Sequence, residues 1–395
     1  MLPAALLPLV VGVPRTAENV VLLVGSFVLL LLGAEIFTNG VEWLGHRFGV
    51  SESATGSILA AVGTALPETM IPVIAIVNGY LSGDTSAADS VGVGAILGAP
   101  FMLATIAMFL VGASVLYFGD RRAHGSHFQF NAEATQRDLS FFLVGFTLAF
   151  LAALLPTHVA IGPVPIADVF AFVLVGLYAV YVYRSLQSGQ LMESEGLEAL
   201  YLGAIFEQGE EPLETVGTEA PHGTDPTKFV VLVQTLLALG LIIGGAHLFV
   251  AEVEFFATDV LHFPTAILAL LLAPLATELP EKFNSIIWIS RDKDTLAIGN
   301  ITGAMAFQGT LPVTLGILFT SWNLSLEWGT TGFLNGISAI LAIVSGVILY
   351  LRSRSAGDGP MEPIPFLIGG LFYLLFIAIV VYHVLFLGVT VAGGH

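Results

Sequence analysis

Apolar positions along this chain fall in long, nearly unbroken runs rather than in the alternating pattern of strands. Windows of about 19 residues pick out runs near 20–46, 54–78, 90–117, 139–156 and 163–183, and again near 229–256, 264–289, 294–320, 331–351 and 364–389. A helix rising 1.5 Å per residue needs about 20 residues to cross a ~30 Å hydrocarbon core. The pattern therefore predicts an all-α polytopic membrane protein with about ten transmembrane helices. A polar stretch, 185–227, divides the chain into 20–184 and 228–395, five spans on each side. Within it, Gly196 to Gln208 has apolar residues at helical spacing, which predicts a short surface helix. Residues 1–19 form an N-terminal lead. Its apolar run at 2–12 is too short to span and has no preceding basic residue, so an interfacial lead fits it better than a cleaved signal.

The two halves resemble each other. Residues 33–68 (GAEIFTNGVEWLGHRFGVSESATGSILAAVGTALPE) run parallel to 245–281 (GAHLFVAEVEFFATDVLHFPTAILALLLAPLATELPE), with one residue inserted, and both end in Thr-x-x-Pro-Glu. Five spans per half make the repeats inverted, the architecture of many secondary transporters with a midplane site. Basic residues set the orientation. With the N-terminus outside, Arg47, Arg121, Arg122, Arg137, Arg184, Lys228, Arg291, Lys293, Arg352 and Arg354 all fall on the cytoplasmic side, against Arg15 outside. Both termini are then expected outside and the 185–227 linker in the cytoplasm, for a multi-pass protein of the cell membrane.

Composition narrows the function. Hydrophobic residues make up 56% of the 395 and charged residues 11%, against roughly 25% charged in a soluble domain. The net charge of -18 makes nucleic acid an unfit partner. Part of that charge sits in the linker, from Glu193 to Asp225. Lysine is reduced to Lys228, Lys282 and Lys293, a bias that fits adaptation to high salt as well as a single acidic tether. With no cysteine, thiolate metal sites and thiol catalysis are excluded. The sequence has no nucleophile–base set, HExxH or paired histidines, so it does not read as an enzyme. No cofactor is expected, and oligomeric state is not legible.

Chemistry concentrates at the Thr-x-x-Pro-Glu pairs. Thr64 and Glu68 share a helix face one turn apart, and Thr277 and Glu281 repeat this. Pro67 and Pro280 lack an N–H and crowd the carbonyl four residues back, which frees the oxygens of Gly63 and Ala276 and predicts broken helices. Each half thus offers a carboxylate, a hydroxyl and a backbone oxygen, the donor set of a hard cation such as calcium. A carboxylate deep in an apolar run costs roughly 2.5–3.5 kcal/mol on insertion scales, so two at equivalent positions point to use. Glu278 and Lys282, at i and i+4, read either as a salt bridge or as a built-in cation beside Glu281.

These residues resemble a known family. GTALPE at 63–68 and ATELPE at 276–281 are similar to the G-T-S-x-P-E signatures of the two alpha repeats of the cation/calcium exchanger superfamily. The segment 293–308 (KDTLAIGNITGAMAFQ) resembles the following helix, patterned A-x-G-N-x-x-G-S-N-x-x-[ND], and 92–103 (GVGAILGAPFML) is its weaker counterpart. The alpha motifs thus cover 54–117 and 264–320. The resemblance implies a sodium/calcium-type antiporter with ions bound between the second, third, seventh and eighth helices, and with the first and sixth helices sliding. It implies Thr64, Glu68, Thr277 and Glu281 as ligands, with Gln308 at the acidic or amide position and Asn300 in the G-N pair. The chain departs from the family at Ala65 and Glu278, where the signatures carry serine, at Ala99 and Ala304, and at Leu103, which replaces an amide.

The site expectation comprises Glu68, Glu281, Thr64, Thr277, Gly63, Ala276, Gln308 and Glu278. The transported ions would be calcium or a similar cation exchanged for sodium. Proton coupling and a non-transporting cation sensor are the alternatives. Beyond that set, Glu35 is expected on an access path or in water, and His247 as a hydrogen-bonded interior histidine. Glu252, Glu254, Asp259, Asp84 and Asp89 are expected to be solvated.

Overall fold

The computed structural model describes residues 15–82, 96–155, 159–161, 164–189, 197–206, 225–260, 271, 273–320, 322–357 and 359–389. Ten long helical segments follow the apolar runs. Helix α1 is Arg15–Phe48. Helix α2 passes through Glu52–Ala54, a π-helical stretch Thr55–Ala60 and Ala61–Ser82. Helix α3 is Ile96–Arg121 with a π-helical stretch at Leu103–Ala107. Helices α4 and α5 are Ala132–Leu154 and Ile166–Gln187. In the second half, α6 is Lys228–Phe255 and continues as a π-helical turn, Phe256–Val260. Helix α7 has two parts, Ala273–Thr277 and Leu279–Ser290. Helix α8 is Asp294–Gln308 followed by Leu311–Phe319, α9 is Thr331–Ala356 and α10 is Ile364–Leu387. Eight of these are by themselves long and apolar enough to cross a membrane; α2 and α7, which carry the Pro-Glu pairs, are the other two.

Helix starts are written in polar caps. The side chains of Ser51, Asn131, Thr227 and Thr330 accept the backbone N–H three residues on, at α2, α4, α6 and α9, satisfying donors that a helix cannot pair internally. Helix α4 begins at Ala132, earlier than the expected 139, because Asn131 caps it and Thr135 and Asp138 are buried. Large apolar side chains such as Val21, Phe172, Phe229, Leu371 and Phe386 stand exposed, as a lipid-facing surface requires.

The inverted repeat appears directly in the packing of α1 against α6, the most extensive helix contact among the described residues. A Cβ on Gly33 would sit 3.0 Å from Ile242 Cγ1, and one on Gly245 would sit 3.1 Å from the Leu30 backbone nitrogen. Gly33 and Gly245 are the corresponding residues of the two halves, as are Leu30 and Ile242. Residue i meets residue j, and the equivalent of j meets the equivalent of i. This is the reciprocity of a two-fold interface, and it makes the helices antiparallel.

The remaining helices form a bundle beside this pair. Helix α8 packs on α2, α4 and α7, α7 on α3 and α1, α4 on α5 and α9, and α10 on α3 and α9. One end of the bundle gathers the cations. Arg122 pairs with Asp294 at 2.7 Å and with Asp292 at 3.3 Å, Lys293 with Glu42, Arg291 with Glu35, and Arg47 with Asp225 at 3.1 Å. The linker returns to this end. Its short helix, Tyr201–Phe206, falls within the expected span but is preceded by a docked segment. There Glu198 O accepts from Trp43 Nε1 at 2.8 Å, Ala199 O accepts from Asn39 Nδ2 at 3.2 Å, and Leu197 and Leu200 pack on Trp43 and Val231.

Candidate functional site

The site region begins where α2 crosses α8. A Cβ on Gly303 would lie 2.1 Å from Ser57 O, and one on Gly56 would lie 2.9 Å from Leu296 O, so only glycine permits this approach. The crossing is tied by Asp138 of α4. Its fully buried carboxylate accepts from Ser57 Oγ of the π-helical stretch, from Thr302 Oγ1 at 2.8 Å and from Arg137 Nε at 3.1 Å. Sequence patterning missed Asp138. Its neighbours Thr135, Gln136 and Arg137 read as the polar flank of a span, and its partners come from distant elements.

Deeper in the bundle, Asn300 joins three helices. Its Nδ2 donates to Glu281 O and to Ser285 Oγ, both at 3.1 Å, and its Oδ1 lies 3.5 Å from the Thr64 hydroxyl. The Thr64 hydroxyl donates to Ala60 O at 3.1 Å and lies beside the Glu281 carboxylate. Thr64, Asn300, Ser285 and Glu281 are all buried. The structure therefore brings Thr64 of the first repeat to Glu281 and Asn300 of the second.

Glu281 occupies the first turn of Leu279–Ser290, just after the chain leaves helical geometry at Glu278 (φ -89°, ψ 13°). The break follows from Pro280, which stands at the start of the new segment and cannot donate backward. A carboxylate at a helix N-terminus is favoured by the positive end of the dipole. Yet Glu281 is fully buried, and neither of its carboxylate oxygens has a hydrogen-bond partner among the described residues. Two buried amides share this state. Asn284 of α7 and Gln308 of α8 are buried, and each has both amide atoms unpartnered among the described residues. Asn284 was missed from the sequence, although its i+3 offset from Glu281 was a usable signal.

The other expected residues divide. Thr277 is half-buried, its hydroxyl donating to Pro274 O at 3.2 Å. Glu278 is buried, and its Oε2 lies 3.2 Å from Lys282 Nζ. Gly63 lies on α2 under the ring of Phe37 of α1, 3.2 Å from a built Cβ. The α2 backbone carries position 68 one turn beyond Thr64, but the side chain of Glu68 lies outside the described residues, as does that of Ala276. The expected break at Pro67 does not occur. Helix Ala61–Ser82 runs through it, since packing on α8 and α7 stabilises a segment that has lost one backbone bond. The break in α7 does occur. Helix α3 presents buried Phe101, Met102, Leu103 and Ala104 to the core, and its Thr105 hydroxyl is turned to Phe101 O at 2.6 Å. Among the described residues, no three His, Asp or Glu side chains converge as a metal cluster.

Glu35 reaches water, one of its two expected placements, and is held there by Arg291 and by Tyr201 Oη at 2.8 Å in the linker contact. Other outlying expectations are corrected. His247 faces outward from α6 instead of inward, because the adjacent Gly245 and Ala246 fill the α1 interface. Glu252 is buried and accepts from Asn19 Nδ2 at 2.7 Å instead of being solvated. Asp259 is exposed. The side chain of Glu254, and Asp84 and Asp89, lie outside the described residues.

This arrangement has counterparts in known proteins. The family model described as sodium/calcium exchanger protein matches residues 18–187 and 230–385. The chain belongs to that family. It is therefore a multi-pass membrane protein of a cation-exchange family, and the matched stretches coincide with the two five-helix repeats. No curated protein sequence matches it. Among solved structures, the fold is similar to that of the sodium-calcium exchanger NCX_Mj soaked with 100 mM Na+ and 10 mM Sr2+, at 18% identity and TM-score 0.63, covering 91% of this chain and 97% of that one. The same exchanger soaked with 2.5 mM Na+ and 10 mM Sr2+ gives a TM-score of 0.65 at 17% identity, covering 92% and 98%. Soaked with zero Na+ and Ca2+, it gives 0.64 at 17%, covering 91% and 98%. At this identity, the similarity speaks to the fold of this exchanger-family protein.

Proposed function

We propose that this protein is a secondary antiporter that moves calcium or a similar hard cation in exchange for sodium, with the ion held between Glu68 and Glu281. The supporting observation is the Glu281 carboxylate, fully buried with both oxygens unpartnered among the described residues. A buried polar group normally finds a partner, and a buried charge without one is costly. A divalent cation supplies that partner, taking six to eight oxygens at roughly 2.3–2.6 Å. Glu68, the hydroxyls of Thr64 and Thr277, the carbonyls of Gly63 and Ala276, and Gln308 complete the set we assign. Glu278, engaged by Lys282, enters as a local charge.

The close α2–α8 crossing and the Asn300 contacts hold one wall of the site rigid. The α1–α6 pair stands beside that wall, and we assign to it the sliding that opens the site alternately to the two sides. The end that gathers Arg122, Lys293 and Arg291 is taken as cytoplasmic, with both termini outside and the chain in the cell membrane. Proton coupling is the second reading, favoured by the buried stretch Phe101, Met102, Leu103 and Ala104 of α3, whose side chains carry no oxygen for further ions. Flux in proteoliposomes tests both. Calcium uptake driven by an outward sodium gradient supports the first reading, uptake driven only by a proton gradient supports the second, and binding without flux under either overturns transport.

A further inference from the structure

Lys282 is among the largest side chains wholly enclosed in the protein, and its exposure is 1%. It does not reach toward water, as long basic side chains usually do. Its Nζ donates to Glu278 O at 3.1 Å and to Glu278 Oε2 at 3.2 Å. Those two acceptors, a carbonyl and a carboxylate oxygen, are the donor types that a hard monovalent cation takes. Lys282 directly follows Glu281 in the helical segment Leu279–Ser290. The residues Phe101, Met102, Leu103 and Ala104 that α3 buries in the core are apolar, so that stretch brings no competing charge.

We propose that Lys282 is a resident monovalent cation, its ammonium occupying the Glu278 oxygens so that no mobile sodium ion is taken up there. The lysine is thus a specificity-determining residue that subtracts one sodium from the exchange cycle. This rests on the assignment of Glu281 to the ion site. The chemistry is charge balance alone. With Lys282 in place, Glu278 and Lys282 sum to zero and leave Glu281, with Glu68, to meet the transported cation. With Lys282 removed, Glu278 becomes an uncompensated buried carboxylate, which requires either a cation or a proton. The carbonyl and carboxylate oxygens released by Nζ form a position to which sodium is suited.

The test uses the full-length protein in lipid nanodiscs, with unfolding followed while sodium replaces choline at constant ionic strength. Three forms are compared: wild type, Lys282→Met, and Glu278→Gln combined with Lys282→Met. A ligand that binds only the folded form shifts the unfolding equilibrium in proportion to its concentration once it exceeds its dissociation constant. Lys282→Met is expected to gain up to one additional tenfold shift per tenfold rise in sodium relative to wild type. The double variant, which carries neither charge, is expected to return to the wild-type slope. If Lys282→Met has the wild-type sodium slope, or cannot be folded at any sodium concentration while the double variant folds, the proposal is overturned. Calcium titration of wild type in the same discs reports separately on the ion-site reading. Wild type that ignores calcium refutes that reading, whereas the sodium slopes alone decide the role of Lys282.

Discussion

Replacing Asp138 with alanine tests whether the buried polar tie, rather than helix packing alone, holds the α2–α8 crossing. The carboxylate is fully buried and accepts from Ser57, from Thr302 at 2.8 Å and from Arg137 at 2.9 and 3.1 Å. Breaking a buried ion pair by removing one partner costs about 3–5 kcal/mol. Three features of the structure locate the substitution in the lower half of that range. The Arg137 side chain is 11% exposed and keeps a contact to Ser188, and the Thr302 hydroxyl has a second acceptor in Ile298 O at 3.0 Å. Ser57 has no second acceptor recorded for its hydroxyl among the described residues, which adds about 1–3 kcal/mol for a group left unsatisfied. A net loss of about 4–7 kcal/mol, at least about a thousandfold in the unfolding equilibrium, follows. Reversible unfolding in mixed micelles, read by tryptophan fluorescence, measures it. Asp138→Asn should recover part of the loss, because the amide oxygen still accepts a hydroxyl. A loss below about 1 kcal/mol for the alanine variant would refute the reasoning, since exposed pairs cost that little.

Two other perturbations bear on the same framework. Gly303→Val places a side chain where a Cβ already falls 2.1 Å from Ser57 O; since overpacking typically costs about 1–3 kcal/mol and the obstacle here is backbone, the unfolding midpoint should drop at least as far as that range implies, and an unchanged midpoint would contradict the crossing. At the linker, hydrogen bonding from His46, with help from Arg47, holds the Asp225 carboxyl below its usual range. A depressed carboxylate stabilises the fold above its unfolded pKa, and that contribution fades as pH falls through the folded value. Because the pair is solvent-exposed, Asp225→Asn should change stability near neutrality by only a few tenths of a kcal/mol, and the variant and wild type should converge once the pH has fallen through the lowered Asp225 value in acid titrations followed by far-UV circular dichroism.

The ten spans were legible because a membrane helix must satisfy its backbone internally and cover it with apolar side chains, so length and hydropathy almost determine it. The inverted repeat was legible in the same way, and Gly33 and Gly245 show it as paired contacts across α1 and α6. What escaped the sequence were polar residues whose meaning depends on distant partners. Asp138 becomes comprehensible only beside Ser57 and Thr302, and Glu42 only beside Lys293 and the Trp288 indole nitrogen at 2.8 Å. The two prolines illustrate the limit of local rules. Pro280 ends a helical segment as its missing N–H dictates, whereas the helix runs on through Pro67 because neighbouring helices hold it. His247 read as interior from the apolar run around it, but the pattern could not say which face of α6 meets α1.

The claim that Glu68 and Glu281 together hold the transported ion is tested most directly by equilibrium calcium binding to wild type, Glu68→Gln and Glu281→Gln in nanodiscs. Removing either charge from a buried divalent site should weaken binding by at least a hundredfold, the equivalent of about 2.7 kcal/mol, while both variants remain folded. Calcium binding of wild-type strength in either variant would contradict the account.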